Sequence, residues 1–338
     1  MSEASLAWQL QALVRPGDTL WWGSATAEPL TRARAVALHR RALAQDGRLR
    51  VFVGIGGFDT LQPEHADAID FFGYAAGGPY SKLAEADVLD ILPSHYSHLP
   101  GLIREGLLPV DVLLQVSKPD RQDRYSLGLV HEYLPAALKK AWVVIGSVNP
   151  DIPRMHGSVY LKAGDFALLV NVEHPPVAPV RTTPGPAELV IARHIAVRVE
   201  DGATLHVGIG NLPGALLSAL HGHRDPGFQL RETGYTHDPQ VLTSSYKLTA
   251  INSAIEVDVT GQINAEVAGG IYVGAAADFL RGAGLPIVPL PATAKGALRI
   301  VAQLSRPVST PRSDAARSLP STTWPTCAAS HCRAAYAA

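Results

Sequence analysis

Apolar residues in this chain come in short runs separated by amphipathic stretches. Thr19 to Gly23, Arg50 to Gly54, Val110 to Val116 and Trp142 to Val148 are brief and rich in Val, Leu and aromatic residues, the pattern of strands buried on both faces. Between the first two, Glu28 to Gln45 carries helix formers and stops at Gly47, which predicts a helix with a glycine terminator. Strands separated by helices imply right-handed crossovers and a mainly parallel sheet. A second amphipathic stretch, Ala187 to Val199, places Leu189, Ala192, Ile195, Ala196 and Val199 at helical spacing. Leu248 to Val259 and Ile287 to Leu290 supply further strand text.

Between these halves the segment HPPVAPVRTTPGP, residues 174–186, holds five prolines and can continue neither a helix nor a central strand. It divides the chain into an N-terminal α/β domain, 1–178, and a C-terminal one, 187–314, which leaves a tail at 315–338. The two halves share a grammar. In GDTLWWGSATAEPL and GATLHVGIGNLPGALL, Gly17 matches Gly202, Thr19 and Leu20 match Thr204 and Leu205, and Gly23 matches Gly208. Pro29 matches Pro213 with one residue less between. A repeat of half the chain marks duplicated domains rather than a solenoid, whose periods run roughly 20 to 50 residues.

At 338 residues the chain has room for two separate cores. Its 47% hydrophobic and 17% charged residues fit a globular protein, and its net charge of -1 offers no attraction to nucleic acid or an anionic membrane surface. No apolar run approaches membrane-spanning length, and MSEASLAWQL lacks the form of a secretory leader. The two cysteines, Cys327 and Cys332, sit in the tail, which fits a reducing cytoplasm.

Chemistry is suggested first by the turn after the second repeated strand. Gly208 and Gly210 let the backbone turn sharply and approach a ligand, and Asn211 or Leu212 then opens a helix whose unpaired N–H groups favour a phosphate or a developing oxyanion. A dinucleotide fold wants G-x-G-x-x-G; here the third glycine is Gly214, one position late, with Pro213 inside the motif and no acidic residue at ribose distance. A nicotinamide cofactor is therefore disfavoured, and a turn that only packs helix on strand remains the plain alternative.

Longer strings narrow the choice. LLPVDVLLQVSKPD with YSLG (Leu107 to Gly128), GSVNPDIPRMHG (Gly146 to Gly157), YTHDPQVL (Tyr235 to Leu242) and AINSAIEVDVTGQINAEVAGG (Ala250 to Gly270) follow in order. Together with the glycine turn they resemble the acetyl-CoA hydrolase/4-hydroxybutyrate CoA-transferase family over roughly residues 10 to 314. The resemblance implies two related open, mainly parallel α/β sheet domains with flanking helices, a cytoplasmic homodimer, and no permanently bound cofactor or metal. It implies a coenzyme A thioester as substrate, with a short acyl-CoA and a small carboxylate as the reacting partners. A glutamate attacks the thioester and passes through a glutamyl-CoA intermediate, with backbone N–H groups at glycine turns stabilising each oxyanion. Gly208, Gly210, Asn211 and Gly274 are the expected CoA and oxyanion contacts.

The sequence also departs from that family. The segment expected to carry the nucleophile, between the repeated helix and YTHDP, is reduced to His221–Leu230, and Glu232 in RETGY does not match the motif. Val273 to Phe279 keeps only Gly274 of an expected glycine-rich turn, and the tail after Asp314 contains no Asp, Glu or Lys. That tail is expected to be disordered or translated off-frame, and Cys327, His331 and Cys332 within it are read as incidental rather than metal ligands. Asn149, Arg154, His156, Asn252, Glu256 and Glu266 are candidates for the substrate cleft. Arg154 suits a carboxylate or CoA phosphate, against a proline-braced turn that only positions the domain end. Asn252 equally suits a loop-holding role, and Glu256 and Glu266 sit in strand-like alternation. The spacing of His95 and His98 lacks a third ligand. Two functions follow: CoA transfer or acyl-CoA hydrolysis, or a catalytically inactive CoA-binding remnant that lacks the nucleophile segment.

Overall fold

The computed structural model describes residues 3–45, 47–156, 159–176, 183–208, 210–223, 231–268, 271–272, 285–294, 296–304, 306–312 and 318–320. Gly274, the cysteines and most of His221–Leu230 lie outside them. The chain forms two compact units, Met1–Pro179 with Phe228–Thr236, and Val180–Gly227 with His237–Ala338. The short stretch Phe228–Thr236 thus groups with the first unit, although it follows the second helix of the repeat.

Unit 1 is built from α1 (Glu3–Leu13), β1 (Thr19–Trp21), α2 (Leu30–Ala44), β2 (Leu49–Ile55), β3 (Ile69–Gly77), α3 (Ser81–Glu85), β4 (Leu89–Ile91), α4 (Leu99–Arg104), β5 (Asp111–Ser117), β6 (Arg124–Ser126), α5 (Leu134–Lys140), β7 (Val144–Asn149), β8 (Tyr160–Lys162) and β9 (Leu168–Asn171). Seven strands form one parallel sheet in the order β4-β3-β2-β1-β5-β7-β9, and β6 pairs antiparallel with β8 beside it. Side chains alternate across this sheet as strand geometry requires. Leu20, Trp22, Val51 and Val53 join Leu10, Val36 and Leu43 of α1 and α2 on one face. Trp21, Phe52 and Phe72 join Leu99, Ile103 and Leu134 of α4 and α5 on the other. Trp21 stacks on Phe52 with ring centroids 3.7 Å apart. Each such side chain contributes about 1.5–3 kcal/mol on burial, so both layers are held to the sheet.

Unit 2 continues with α6 (Pro186–Ala196), β10 (Leu205–Val207), α7 (Asn211–Ala219), α9 (Pro239–Ser244) and β11 (Thr249–Ile251), while α8 (Thr233–Thr236) belongs to unit 1. Short strands follow: β12 (Glu256–Asp258), β13 (Ile263–Asn264), β14 (Val267–Ala268), β15 (Ile271–Tyr272), β16 (Leu285–Leu290), β17 (Thr293–Ala294), β18 (Ala297–Leu298), β19 (Ile300–Val301) and β20 (Ser318–Pro320). The main sheet runs β10-β11-β16-β20, all parallel. The tail expected to be disordered therefore contributes one element, Ser318–Pro320, which pairs with Val288–Leu290.

The duplication is visible strand by strand. Order and direction of β1-β5-β7-β9 recur as β10-β11-β16-β20. Nothing among the described residues of unit 2 corresponds to β2, β3 and β4, so β10 is an edge strand where β1 is central. The strand text Leu248 to Val259 is split into β11 and β12, because Asn252 to Ile255 leaves the sheet between them.

Candidate functional site

In unit 2 the sequence turn has the expected form. Gly208 N–H still donates to Ile251 O of β11 (3.0 Å), and the chain leaves the sheet after it. A Cβ on Gly208 would lie 3.3 Å from Asn252 Oδ1, so glycine keeps the asparagine side chain close to the backbone. Gly210 takes φ 140° and ψ −175°, a conformation essentially reserved for glycine. Its requirement is conformational rather than steric, since an added Cβ would meet only Pro213 Cδ at 3.8 Å. α7 then begins at Asn211, which is exposed, and its first N–H groups have no intrahelical acceptor. Asn252 N–H donates to Ile287 O (3.1 Å), while its Nδ2 is buried without a partner among the described residues. An unsatisfied buried donor costs about 1–3 kcal/mol; beside a helix N-terminus it is suited to receive an anionic oxygen.

The other sequence candidates fall elsewhere. Glu256 in β12 has a buried Oε2 without a partner among the described residues. Arg299, whose guanidinium donates to Ala254 O and Ile255 O (2.7 Å each), feels the charge of Glu256. Glu266 is tied down, accepting from Ser309 Oγ (2.9 Å). In unit 1, Asn149 is fully buried at the end of β7 and holds its loop through His174 O and Asp151 N–H (3.0 Å each). Arg154 pairs with Asp120 (2.6 Å), which also holds Arg124 (2.9 Å), and His156 is exposed beyond it. Glu232 forms an ion pair with Arg104. Gly208, Gly210, Asn211 and Asn252 thus come together, whereas Asn149 and Arg154 are engaged in holding local structure.

Two features escaped the sequence reading. His206, in the middle of β10, faces away from Leu205 and Val207, which pack on the α6–α7 cluster. Burial, and then His237, lowers its pKa to about 4, so the imidazole is neutral at pH 7. The second feature lies in unit 1 at the point where strand order reverses between β1 and β5, the place where open α/β sheets bind ligands beyond their strand ends. There Ser24 N–H donates to Glu132 Oε2 (2.9 Å) and Tyr96 OH donates to Glu132 Oε1 (2.7 Å). Four residues after Ser24, Glu28 accepts from Tyr80 OH (2.6 Å) and Gly57 N–H (3.1 Å). Each carboxylate thus accepts from a backbone N–H and a tyrosine hydroxyl, and hydroxyls of Thr60 at Glu28 and Ser24 at Glu132 also face them. Burial pushes both carboxyls above their ordinary range, and these hydrogen bonds pull them partly back. The same burial, reinforced by the Glu132 charge, raises Tyr96 well above 10.

The backbone around this cluster is strained and close-packed. Ala25 (φ 50°) and Glu132 (φ 44°) both lie in the left-handed region. A Cβ on Gly54 would fall 2.4 Å from Ser24 Oγ, and one on Gly57 2.0 Å from Ala25 O. Gln115 of β5 reaches Thr26 O through Nε2 (3.4 Å), and its Oε1 is buried without a partner among the described residues. These residues come from loops far apart in sequence; GSATAEP, the first copy of the repeated turn, was the only available signal.

Comparison with known proteins decides the ancestry. Residues 6–165 match the model of the acetyl-CoA hydrolase/transferase N-terminal domain, and residues 215–317 match that of the C-terminal domain. The chain belongs to the acetyl-CoA hydrolase/transferase family. The glycine turn at Gly208–Gly210 lies between the two matched regions. Among curated members of this acetyl-CoA hydrolase/transferase group, the chain is 29% identical over 265 residues to the 4-hydroxybutyrate coenzyme A transferase of Clostridium kluyveri, covering 61% of this chain and 62% of the relative. It is 28% identical over 285 residues to the succinyl-CoA:acetate/propanoyl-CoA:succinate CoA transferase of Fasciola hepatica, covering 65% and 59%. The matched part thus spans less than two thirds of either relative. RipA from Yersinia pestis has the same fold, with a TM-score of 0.80 at 23% identity over 95% of this chain and 91% of that one. Among the described residues no helix is long and apolar enough to cross a membrane, and no group of three or more His, Cys, Asp or Glu could hold a metal ion.

Proposed function

We propose that the chain moves CoA between a short acyl-CoA and a small carboxylate. The reading rests on the turn at Gly208 to Asn211, where a glycine-only conformation, the open N-terminus of α7 and the unpartnered Asn252 Nδ2 converge. That donor set suits the oxyanion of a tetrahedral thioester adduct. In the corresponding chemistry a carboxylate attacks the thioester carbonyl and expels CoA thiolate, leaving an acyl–enzyme anhydride. The thiolate then attacks the enzyme's own carbonyl, freeing the first acid and forming a glutamyl-CoA thioester. An acceptor carboxylate reverses these steps and leaves as its CoA ester. Water in place of the acceptor gives hydrolysis.

Glu256 is the carboxylate to test as nucleophile, because it alone of Glu232, Glu256 and Glu266 has a buried oxygen without a partner among the described residues. A second reading, CoA binding without transfer, draws on the shortened sheet of unit 2, where β2, β3 and β4 have no described counterparts. Incubating the full chain with acetyl-CoA and a panel of short carboxylates, and searching for new acyl-CoA species by mass spectrometry, separates the two. Exchange that disappears in Glu256→Gln supports transfer through that residue. Acetyl-CoA binding without exchange or hydrolysis by a folded sample overturns transfer in favour of the second reading.

A further inference from the structure

The seam between α6 and α7 in unit 2 holds an open groove of about 560 Å³, a volume within the range of small-molecule sites. Its floor consists of small residues, with Ala192, Ala196 and Ala215 buried and Ala219 half-buried. Leu189 and Val197 stand at the rim, 41% and 80% exposed. Large apolar side chains left in water around an apolar hollow mark a binding surface rather than a solvated helix face. The polar lining residues are Arg193, Ser218 and His223. Ser218 Oγ donates to Gly214 O (3.1 Å), and His223 Nδ1 faces Asp201 Oδ1 (3.3 Å). Glu200, the next acid along the chain, is held by Lys247 (2.5 Å). Arg193 makes no ion pair among the described residues, so the groove carries one uncompensated cation. A basic last turn is ordinary at a helix C-terminus; an exposed apolar groove beside it is not.

The duplication shows that the repeated fold does not itself demand these residues. Counting back from the matched Gly17 and Gly202, the buried Ile195 and Val199 of unit 2 answer to the buried Leu10 and Val14 of unit 1. The same register sets Arg193 and Ala196 where α1 has Trp8 and Gln11. Core-facing positions keep their character, while the groove positions have become a cation and a small residue. We infer that the α6–α7 groove binds a single-chain anionic lipid, with its alkyl chain on the alanine floor and its head at Arg193. A second copy fits less well, because a two-fold contact over this seam would set Arg193 and the exposed His194 against their own counterparts. The groove flanks α7 rather than capping it: Ala215, its first lining residue on that helix, is about 6 Å along the axis from Asn211. The inference therefore stands whether or not the glycine turn serves CoA transfer.

The test titrates the full chain with sodium decanoate below its micelle concentration and follows the backbone amide resonances of Val197 and Ala219. Decanoate is expected to shift both saturably, with a dissociation constant of about 0.1–1 mM. Octanoate, decanoate and dodecanoate should bind successively tighter, by about two- to fourfold per methylene. Acetate, which lacks the chain, and decylammonium, which reverses the charge, should leave the resonances unmoved at matched ionic strength. Arg193→Gln should weaken decanoate about two- to fivefold, and Ser218→Phe, at an exposed lining position, should fill the groove and abolish the shift. If Ser218→Phe does not fold, Leu189→Gln on the exposed rim takes its place and should weaken decanoate by removing apolar contact. No saturable shift in the wild-type chain, no gain with chain length, an equal response to decylammonium, or binding unchanged in either variant overturns the inference. A dimer in sedimentation velocity that Val197→Glu dissociates would assign the groove to a second copy and equally overturn it.

Discussion

Replacing Gly210 and Gly214 by alanine, one at a time, separates conformational strain from helix propensity within a single helix. Both glycines have room for a methyl group: nothing lies within 4 Å of a Cβ on Gly214, and only Pro213 Cδ at 3.8 Å for Gly210. Only the backbone distinguishes them, since Gly210 has φ 140° and Gly214 lies inside α7 with its N–H bonded to Gly210 O (3.1 Å). Gly210→Ala must hold alanine where it rarely goes, at about 1–3 kcal/mol. Gly214→Ala restricts the unfolded chain and favours the helix, a gain of about 0.5–1 kcal/mol. Because the chain has two units, a global midpoint would blend their transitions, so the reporter is native-state hydrogen exchange of the α7 amides. At 1.4 kcal/mol per tenfold, Gly210→Ala should speed their exchange about 5- to 150-fold, and Gly214→Ala should slow it about 2- to 5-fold. Exchange unchanged in Gly210→Ala, or faster in Gly214→Ala, would refute the argument that the turn needs glycine for its dihedral angles.

Two further outcomes follow from buried polar groups. His206 is held at about 4, below its ordinary value of 6.5, so the folded state binds its proton more weakly than the unfolded chain. Its contribution to stability is complete above pH 6.5 and is lost as pH falls toward 4; the His206 ring resonances should titrate near 4, and His206→Gln should flatten the loss of unit 2 stability between those values, read from hydrogen exchange of the β10 and β11 amides. Arg32 is 1% exposed and, among the described residues, donates to Ser147 Oγ (2.9 Å) and Gly146 O (3.0 Å), with burial lowering its pKa to about 10. A buried charge without a described anionic partner contributes little net stability, so Arg32→Met should stay within about 1 kcal/mol of wild type or exceed it, read from hydrogen exchange of the most protected unit 1 amides. A loss above about 3 kcal/mol would show that the guanidinium has a charged partner.

The elements that were legible in the sequence are those whose composition matches their burial. Thr19 to Gly23, Arg50 to Gly54, Val110 to Val116 and Trp142 to Val148 became β1, β2, β5 and β7 within a residue or two, because runs of Val, Leu and aromatics have few other uses in a parallel sheet. The longest strand, β3, was passed over: IDFFGYAAG ends in small residues, which carry a weak strand preference. Its Gly73 is there because a Cβ would fall 2.1 Å from Val53 O of the next strand. The glycine turn was legible through its repeated spacing. The Glu132 cluster was not, since Ser24, Tyr96 and Glu132 meet only after the sheet has reversed its order. Arg154 illustrates the opposite limit: an arginine in a cleft-like motif looks available until the fold supplies Asp120.

The shortened sheet of unit 2 also bears on the order in which the two halves of the duplication can form. The first central pairing of unit 1 joins Leu20 to Asp111, whereas the corresponding pairing of unit 2 joins Leu205 to Thr249, roughly half as far apart along the chain. Closing a loop of half the length costs about 0.6 kcal/mol less in chain entropy, and contacts between nearer residues also shorten the search for native pairing. The half with fewer described strands is thereby the more local one, able to close its nucleus sooner, while the other half must wait for β2, β3 and β4 to be laid down between its partners.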